Sequence, residues 1–310
     1  MTKLPDPIDW PNALAGFPEK VRPTLEKVRR NHGGLPAATV AQLLEALGGS
    51  LESLMLRLLP LAKCYSVMPI SHFQVGAIAA DRAAKPRLYF GANFEFARGA
   101  LGFSVHAEQS AINNAWLHGA GALAKIAVTA PPCGHCRQFI NELAPGEQPR
   151  VFWPGNERPD EPTHSGTDLL PRPFGPGDLD KAPLSLGARH ALPDLRIASQ
   201  DSLALKALDA ARRSHAPYSG AWCGCAIETT DGTVQTGRSA ENAAFNPTLP
   251  AVASAISALV LHAGPGVLGE IKRVALVETP TKASQRAASE AMLSAAPLRV
   301  PLEYHEARQA

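Results

Sequence analysis

Ile126-Ala127-Val128-Thr129-Ala130-Pro131-Pro132-Cys133-Gly134-His135-Cys136 runs from an apolar stretch, through two prolines, into a pair of thiols three residues apart. Residues 126–130 suit a short buried strand, and the prolines remove its ladder donors just before Cys133. A helix starting there and running through Phe139 to Leu143 puts Cys133 and Cys136 on one face of its first turn, where the positive end of the helix dipole favours thiolates. Upstream stands His106-Ala107-Glu108. One imidazole and two thiols are three ligands for a catalytic zinc, whose fourth position takes a water, and the carboxylate of Glu108 is left to handle protons. His106 and Glu108 are about 200° apart around an ideal helix. They converge only if His106 sits at the first turn of a helix that continues through Ala111, Ile112, Ala115 and Trp116 to Leu117. Two helix N-termini then meet at the metal, at the carboxyl ends of strands, where open α/β sheets place their sites.

His-x-Glu alone says little, because ten histidines and 28 acidic residues produce it by chance about half the time. Pro-Cys-x-x-Cys is rarer in a chain with five cysteines, and the weight lies in the conjunction. A redox Cys-x-x-Cys would have no use for the His-x-Glu partner. A structural zinc would want a fourth protein ligand, and the obvious spare, His135, points away from a metal held by both flanking sulfurs. Cys64, Cys223 and Cys225 read as small buried residues, and His72 and His118 as ordinary histidines.

The 310 residues suffice for two domains with sizeable cores, and 45% hydrophobic with 19% charged residues describes a globular, soluble chain. No signal peptide or membrane-length apolar run is seen, and five unpatterned cysteines fit a reducing cytoplasm. Thirty basic against 28 acidic residues leave a net charge of +2, no footprint for a polynucleotide. A small diffusible substrate fits better.

Residues 1–50 read as proline-punctuated helical pieces at 19–30 and 39–47, ending at Gly48-Gly49. A helix is expected over 51–61, and paired strands over 73–80 and 87–91. Ten prolines between Pro145 and Pro193 predict irregular connection, with one strand at 150–153. The second half then repeats the first. Pro69-Ile70-Ser71 and Gly76 recur as Pro217-Tyr218-Ser219 and Gly224; Gly91 and Glu95 recur as Gly237 and Glu241; Ser110-Ala111-Ile112 recurs as Ser254-Ala255-Ile256. A duplicated domain follows. In register with His106, Glu108, Cys133 and Cys136 the copy carries Pro250, Val252, Thr281 and Ser284, so it has no metal site and reads as scaffold.

His-x-Glu followed by Pro-Cys-x-x-Cys is the signature of the zinc deaminases, and over residues 50–305 the chain closely resembles the long, two-domain form of cytidine deaminase. The resemblance includes Gly91-Ala92-Asn93-Phe94-Glu95-Phe96, His106 through Ile112, Pro132 through Phe139, Phe174-Gly175-Pro176 and Ala240 through Pro250. It implies a duplicated three-layer α/β/α mixed sheet behind a small N-terminal helical segment. The implied divisions are 1–49, a catalytic zinc-binding domain at 50–180, a linker at 181–198 and a degenerate domain at 199–310. It further implies one zinc per chain, hydrolysis of cytidine and deoxycytidine to uridine and deoxyuridine with release of ammonia in pyrimidine salvage, and a cytoplasmic homodimer that engages neither nucleic acid nor membrane. Asn93 and Glu95 match the ribose-binding pair, the backbone of Ala107 the contact to the pyrimidine carbonyl, Phe73 an aromatic on the base, and Phe174 one at the pocket mouth. Residues 240–250 are placed at the partner's pocket. Pro131, His72 and the stretch 81–86 depart from the pattern, which bears on loop shape. Deamination of a nucleotide or polynucleotide base, and a catalytically silent zinc-binding interaction protein, are the alternatives.

Overall fold

The computed structural model describes residues 8–155, 164–187, 192–295 and 300–309, so the expected linker falls partly outside it. The N-terminal region forms short helices α1 (Trp10–Ala15), α2 (Arg22–Glu26) and α3 (Ala37–Leu47). Asp9 caps α1 by accepting from Asn12 N–H at 2.9 Å, and α3 stops at Gly48, whose φ of 67° suits glycine. Between α2 and α3 lies β1 (Gly34–Leu35), a two-residue strand that the sequence reading does not contain.

The first repeat continues through α4 (Leu51–Lys63), β2 (Gly76–Asp81), β3 (Leu88–Ala92), α5 (Ala107–Leu117), β4 (Leu123–Val128), α6 (Gly134–Asn141) and β5 (Arg150–Phe152). The sheet order is β1-β3-β2-β4-β5, antiparallel except for β4 with β5. The strand expected at 126–130 begins earlier and ends at Val128, because Thr129 instead turns its N–H and hydroxyl to the backbone of Gly76. The one expected from residue 73 starts at Gly76, since the Asn93 side chain bonds the backbone at Phe73 and Val75.

Within the proline-rich connection lies α7 (Gly166–Leu169), and β6 (Leu195–Arg196) pairs with the last strand, β11 (Arg308–Gln309). The second repeat is α8 (Ser202–Arg212), β7 (Cys223–Thr229), β8 (Val234–Arg238), α9 (Ala251–Ala263), β9 (Ile271–Glu278), α10 (Arg286–Ser294) and β10 (Leu302–Glu306). Its sheet order, β10-β9-β7-β8, with one parallel pair between β9 and β10, reproduces β5-β4-β2-β3. The duplication read from sequence is therefore a duplication of topology.

Each sheet carries helices on both faces, and glycines let the helices approach. A Cβ on Gly76 would lie 2.7 Å from Lys63 N of α4, and one on Gly91 would lie 2.2 Å from Ala111 N of α5. Gly224 and Gly237 repeat these approaches to α8 and α9, at 2.2 and 2.1 Å. Because Gly91 pairs with Ala77, next to Gly76 on β2, α4 and α5 lie on opposite faces. That makes three layers.

The repeats meet through α5 and α9, so that α5 is buried from Ala107 to Trp116 with no solvent face. Its polar residues are consumed in the seam. Ser110 Oγ lies 2.8 Å from Ser257 Oγ, and Asn113 Oδ1 accepts from Ser254 Oγ at 2.7 Å. Ser254 and Ser257 are the repeat equivalents of Ser110 and Asn113, so the two contacts exchange under a pseudo-two-fold axis. Each buried pair contributes about 1 kcal/mol net, while stripping one partner costs about 1–3 kcal/mol.

At the far end of the seam His32 stacks on His262 with ring centroids 4.3 Å apart and lies 5.1 Å from His118. Burial, then the charges of His262 and His118, push the His32 pKa down to about 4. The unfolded chain, with an ordinary histidine near 6.5, therefore binds more protons between those values, and stability falls as pH drops through that window. The urea midpoint should decline from pH 7 to pH 4. His32→Asn, which tolerates the φ of 53°, should flatten that decline, and an unchanged pH profile in the variant would count against it.

Candidate metal centre and active site

Two helix starts build the site. His106 is the N-cap of α5, with extended backbone (φ −88°, ψ 154°), and its N–H donates to Gln109 Oε1 at 3.2 Å. Cys133 is the N-cap of α6 (φ −72°, ψ 170°), reached directly from β4 through Pro131 and Pro132. These caps turn the side chains toward each other. His106, Cys133 and Cys136 offer ligand atoms that all lie within 4.8 Å of one another, the one such group among the described residues.

The separations suit a tetrahedral zinc. Bond lengths of about 2.3 Å to sulfur and 2.05 Å to nitrogen require about 3.8 Å between two sulfurs and about 3.6 Å between sulfur and nitrogen. The protein has 3.7 Å between Cys133 Sγ and Cys136 Sγ, and 3.4 Å between Cys133 Sγ and His106 Nδ1. Three protein donors leave a fourth position, the pattern of a catalytic site. His135 is outside the group; its ring stacks on that of His106, centroids 4.7 Å apart.

Hydrogen bonds from Cys136 and His106 pull the Cys133 thiol down to about 3. The same sharing, with burial, pushes Cys136 well up. His106 is raised by its bond to Cys133. Glu108, in the first turn of α5, is buried, and burial raises its carboxyl despite a hydrogen bond with Cys136. A carboxyl beside the sulfurs and shielded from bulk water can exchange protons with a reactant without losing them to solvent.

Of the expected substrate residues, Phe73, Asn93 and Glu95 lie at the ends of β2 and β3. Asn93 Nδ2 donates to Phe73 O at 2.9 Å and its Oδ1 accepts from Val75 N–H at 2.9 Å. Glu95 Oε2 accepts from the N–H groups of Ile70 and Ser71 at 2.9 and 3.0 Å, and its charge reaches His106. Ala107 is buried as the first residue of α5. Phe73 and Phe174 are 39% and 48% exposed, with the Phe174 carbonyl held by Gln138 Nε2 and Asn141 Nδ2 from α6.

Residues 240–250 also bond within their own chain: Pro247 O accepts from Gln109 Nε2, and Asn242 pairs with Gln138. One feature departs from expectation. Cys64 is only half-buried, its thiol donating to Pro60 O, because it caps α4 rather than entering the core. Sequence reasoning also missed Glu142, a buried carboxylate bonded to the second repeat. In that repeat Pro250 caps α9, and Gln285 Oε1 accepts from Ala251 N–H at 3.0 Å, near where the first repeat gathers its three donor side chains.

The pattern for the cytidine and deoxycytidylate deaminase zinc-binding region matches this chain twice, at residues 50–149 and 167–290. A cytidine deaminase of Serratia proteamaculans is 45% identical over 245 residues, 79% of each chain. One of Klebsiella pneumoniae is 46% identical over 229 residues, 74% of each, and one of Pasteurella multocida 41% over 276 residues, 88% of each.

Metal analysis of the pure protein should find one zinc per chain, and replacing Cys133 and Cys136 together by Ala should remove it. Two tightly held zincs per chain would show that the second repeat is not vacant.

Proposed function

This chain belongs to the cytidine and deoxycytidylate deaminase family, and on that premise we propose the roles its residues take in hydrolysing cytidine and deoxycytidine. The reaction is zinc-dependent and deaminates cytidine. His106, Cys133 and Cys136 hold the metal, and Glu108 carries the protons. The single observation behind this reading is the convergence of the three donors, with Cys133 at tetrahedral distances from both others and a buried carboxyl alongside.

When bound, zinc activates a water for attack at C4 of the base. Glu108 would take one proton from the attacking water and pass it to N3, then take the second from the hydroxyl now on C4 and pass it to the amine as the C4–N bond breaks. Oxygen stays on C4 and ammonia departs, so uridine and ammonia balance cytidine and water.

Around the reacting ring, the Ala107 N–H donates to the pyrimidine carbonyl. Support comes from the second repeat, whose equivalent N–H, on Ala251, donates to the side-chain amide oxygen of Gln285. Phe73 and Phe174 flank the base, and Asn93 with Glu95 holds the ribose hydroxyls. The proposed divisions are residues 1–49, 50–180, 181–198 and 199–310, with the catalytic work in the second. The molecule acts as a homodimer in the cytoplasm on free nucleosides. Phe245, 67% exposed and held at a φ of 61°, stands out from residues 240–250 as an apolar anchor for such a partner. Among the described residues no helix is long and apolar enough to cross a membrane.

Glu108→Gln should keep zinc and fold while losing about 10²–10⁴ in kcat, because an amide cannot relay protons. Activity within tenfold of wild type would reject its role. Glu95 should enforce a free 3′-hydroxyl. Its Oε2 is committed to Ile70 and Ser71, leaving Oε1 to accept from the sugar, where a 3′-phosphate would set two anions together. Like charges about 4 Å apart cost about 1 kcal/mol in water and about 4 at an effective dielectric near 20. Cytidine should therefore exceed cytidine 3′-monophosphate in kcat/KM by tenfold or more, and Glu95→Gln should narrow the gap; equal rates in the wild type would refute this.

A further inference from the structure

Among the described residues the second repeat gathers no group of metal-binding side chains, yet it touches both helices that carry the first repeat's donors. Both sulfurs belong to the start of α6, an eight-residue helix about 12 Å long. Such a helix is not stable alone, so its neighbours set its position. Phe139 and Ile140 anchor one face in the core, and Arg137 Nε donates back to Pro132 O at 2.8 Å.

The opposite side is held by the second repeat. Glu142, which follows the helix and is 0% exposed, accepts from Tyr218 O–H at 2.6 Å and Ala243 N–H at 2.8 Å and lies 3.0 Å from His215 Nε2. Two residues beyond Cys136, Gln138 and Asn242 bond reciprocally: Gln138 Nε2 donates to Asn242 Oδ1 at 3.3 Å, and Asn242 Nδ2 donates to Gln138 O at 3.0 Å. On α5, Gln109 takes the His106 N–H with one end of its amide and donates to Pro247 O at 3.0 Å with the other. A fully buried carboxylate with three partners is a strong, directional tether, and its loss leaves buried donors unpaired.

We propose that residues 240–250, with His215 and Tyr218, form a clamp that holds α5 and α6 at the separation the metal needs, and that Glu142 and Asn242 are positioning residues for Cys133 and Cys136. The inference rests on the assignment of those cysteines as zinc ligands. Both sulfurs lie in one turn, so any slack in α6 displaces them together. Zinc retention is the property most exposed to the clamp. Arg238 provides the contrast: its guanidinium stacks 3.8 Å above the Trp116 ring, at the end of α5 away from His106, and tethers the repeats without touching the ligand ends.

The test uses full-length, zinc-loaded protein and follows zinc transfer to an excess of chromophoric chelator, alongside kcat, KM and Tm. Glu142→Gln and Asn242→Ala should release zinc about ten- to hundredfold faster, the range for outer groups that orient metal ligands. Their kcat should fall with KM within about twofold. Arg238→Met should lower Tm but release zinc at the wild-type rate. Release within twofold of wild type in the clamp variants, or equal acceleration in Arg238→Met, would overturn the proposal. If Glu142→Gln does not fold, Asn242→Ala decides alone. Cys133→Ser separates the two readings: if it keeps its zinc, the ligand assignment fails, whereas if it loses zinc while the clamp variants behave as wild type, only the clamp fails.

Discussion

Keeping two helix starts a few ångströms apart is the constraint on which the remaining architecture depends. Each helix begins where an extended cap residue, His106 or Cys133, leaves the strand layer, and the sheet fixes where those caps can be. Gly91 lets α5 settle onto β3 at backbone contact, while Pro131 and Pro132 deliver the chain from β4 into α6. A shift of about 1 Å in either helix would spoil ligand distances that tolerate only a few tenths. The buried hydrogen bonds along α5 and α6 supply that stiffness, because each has one satisfied geometry and a costly unsatisfied one.

Much of this was legible in the chain itself. The thiol spacing, the prolines and the offset between His106 and Glu108 determine which residues share a helical turn, and those are local facts. Repeats were visible because Gly76, Gly91, Gly224 and Gly237 sit where no side chain fits. Other features carry no local signal. β1 is two residues long, too short to show alternation. Burial on every side erased the apolar stripe that marks an ordinary helix, so Ser110 and Asn113 did not announce a seam. The partners of Gln109, Gln138 and Glu142 are 138, 104 and 101 residues away, beyond any spacing rule.

Comparing the repeats separates architecture from chemistry within one molecule. Glu95 gathers the N–H groups of Ile70 and Ser71, and Glu241 gathers those of Tyr218 and Ser219 in the same way, so this turn survives without a reaction to serve. Asn93 has no such counterpart, since Ser239 stands in its place. At the helix starts the copy replaces imidazole and sulfur with Pro250, Thr281 and Ser284, and the neighbouring Gln285 closes its amide onto α9.

The reciprocal pairing of α5 and α9 carries an evolutionary consequence. Where two identical chains pair about a dyad, every substitution is made twice, and a change useful on one side must be tolerated on the other. A covalently joined pair escapes that rule. Asn113 can face Ser254 while Ser257 faces Ser110, and one half can keep its cysteines while the other exchanges them for Thr281 and Ser284. Symmetry then survives as geometry after it has ceased to bind the residues, and one half is free to specialise without its twin.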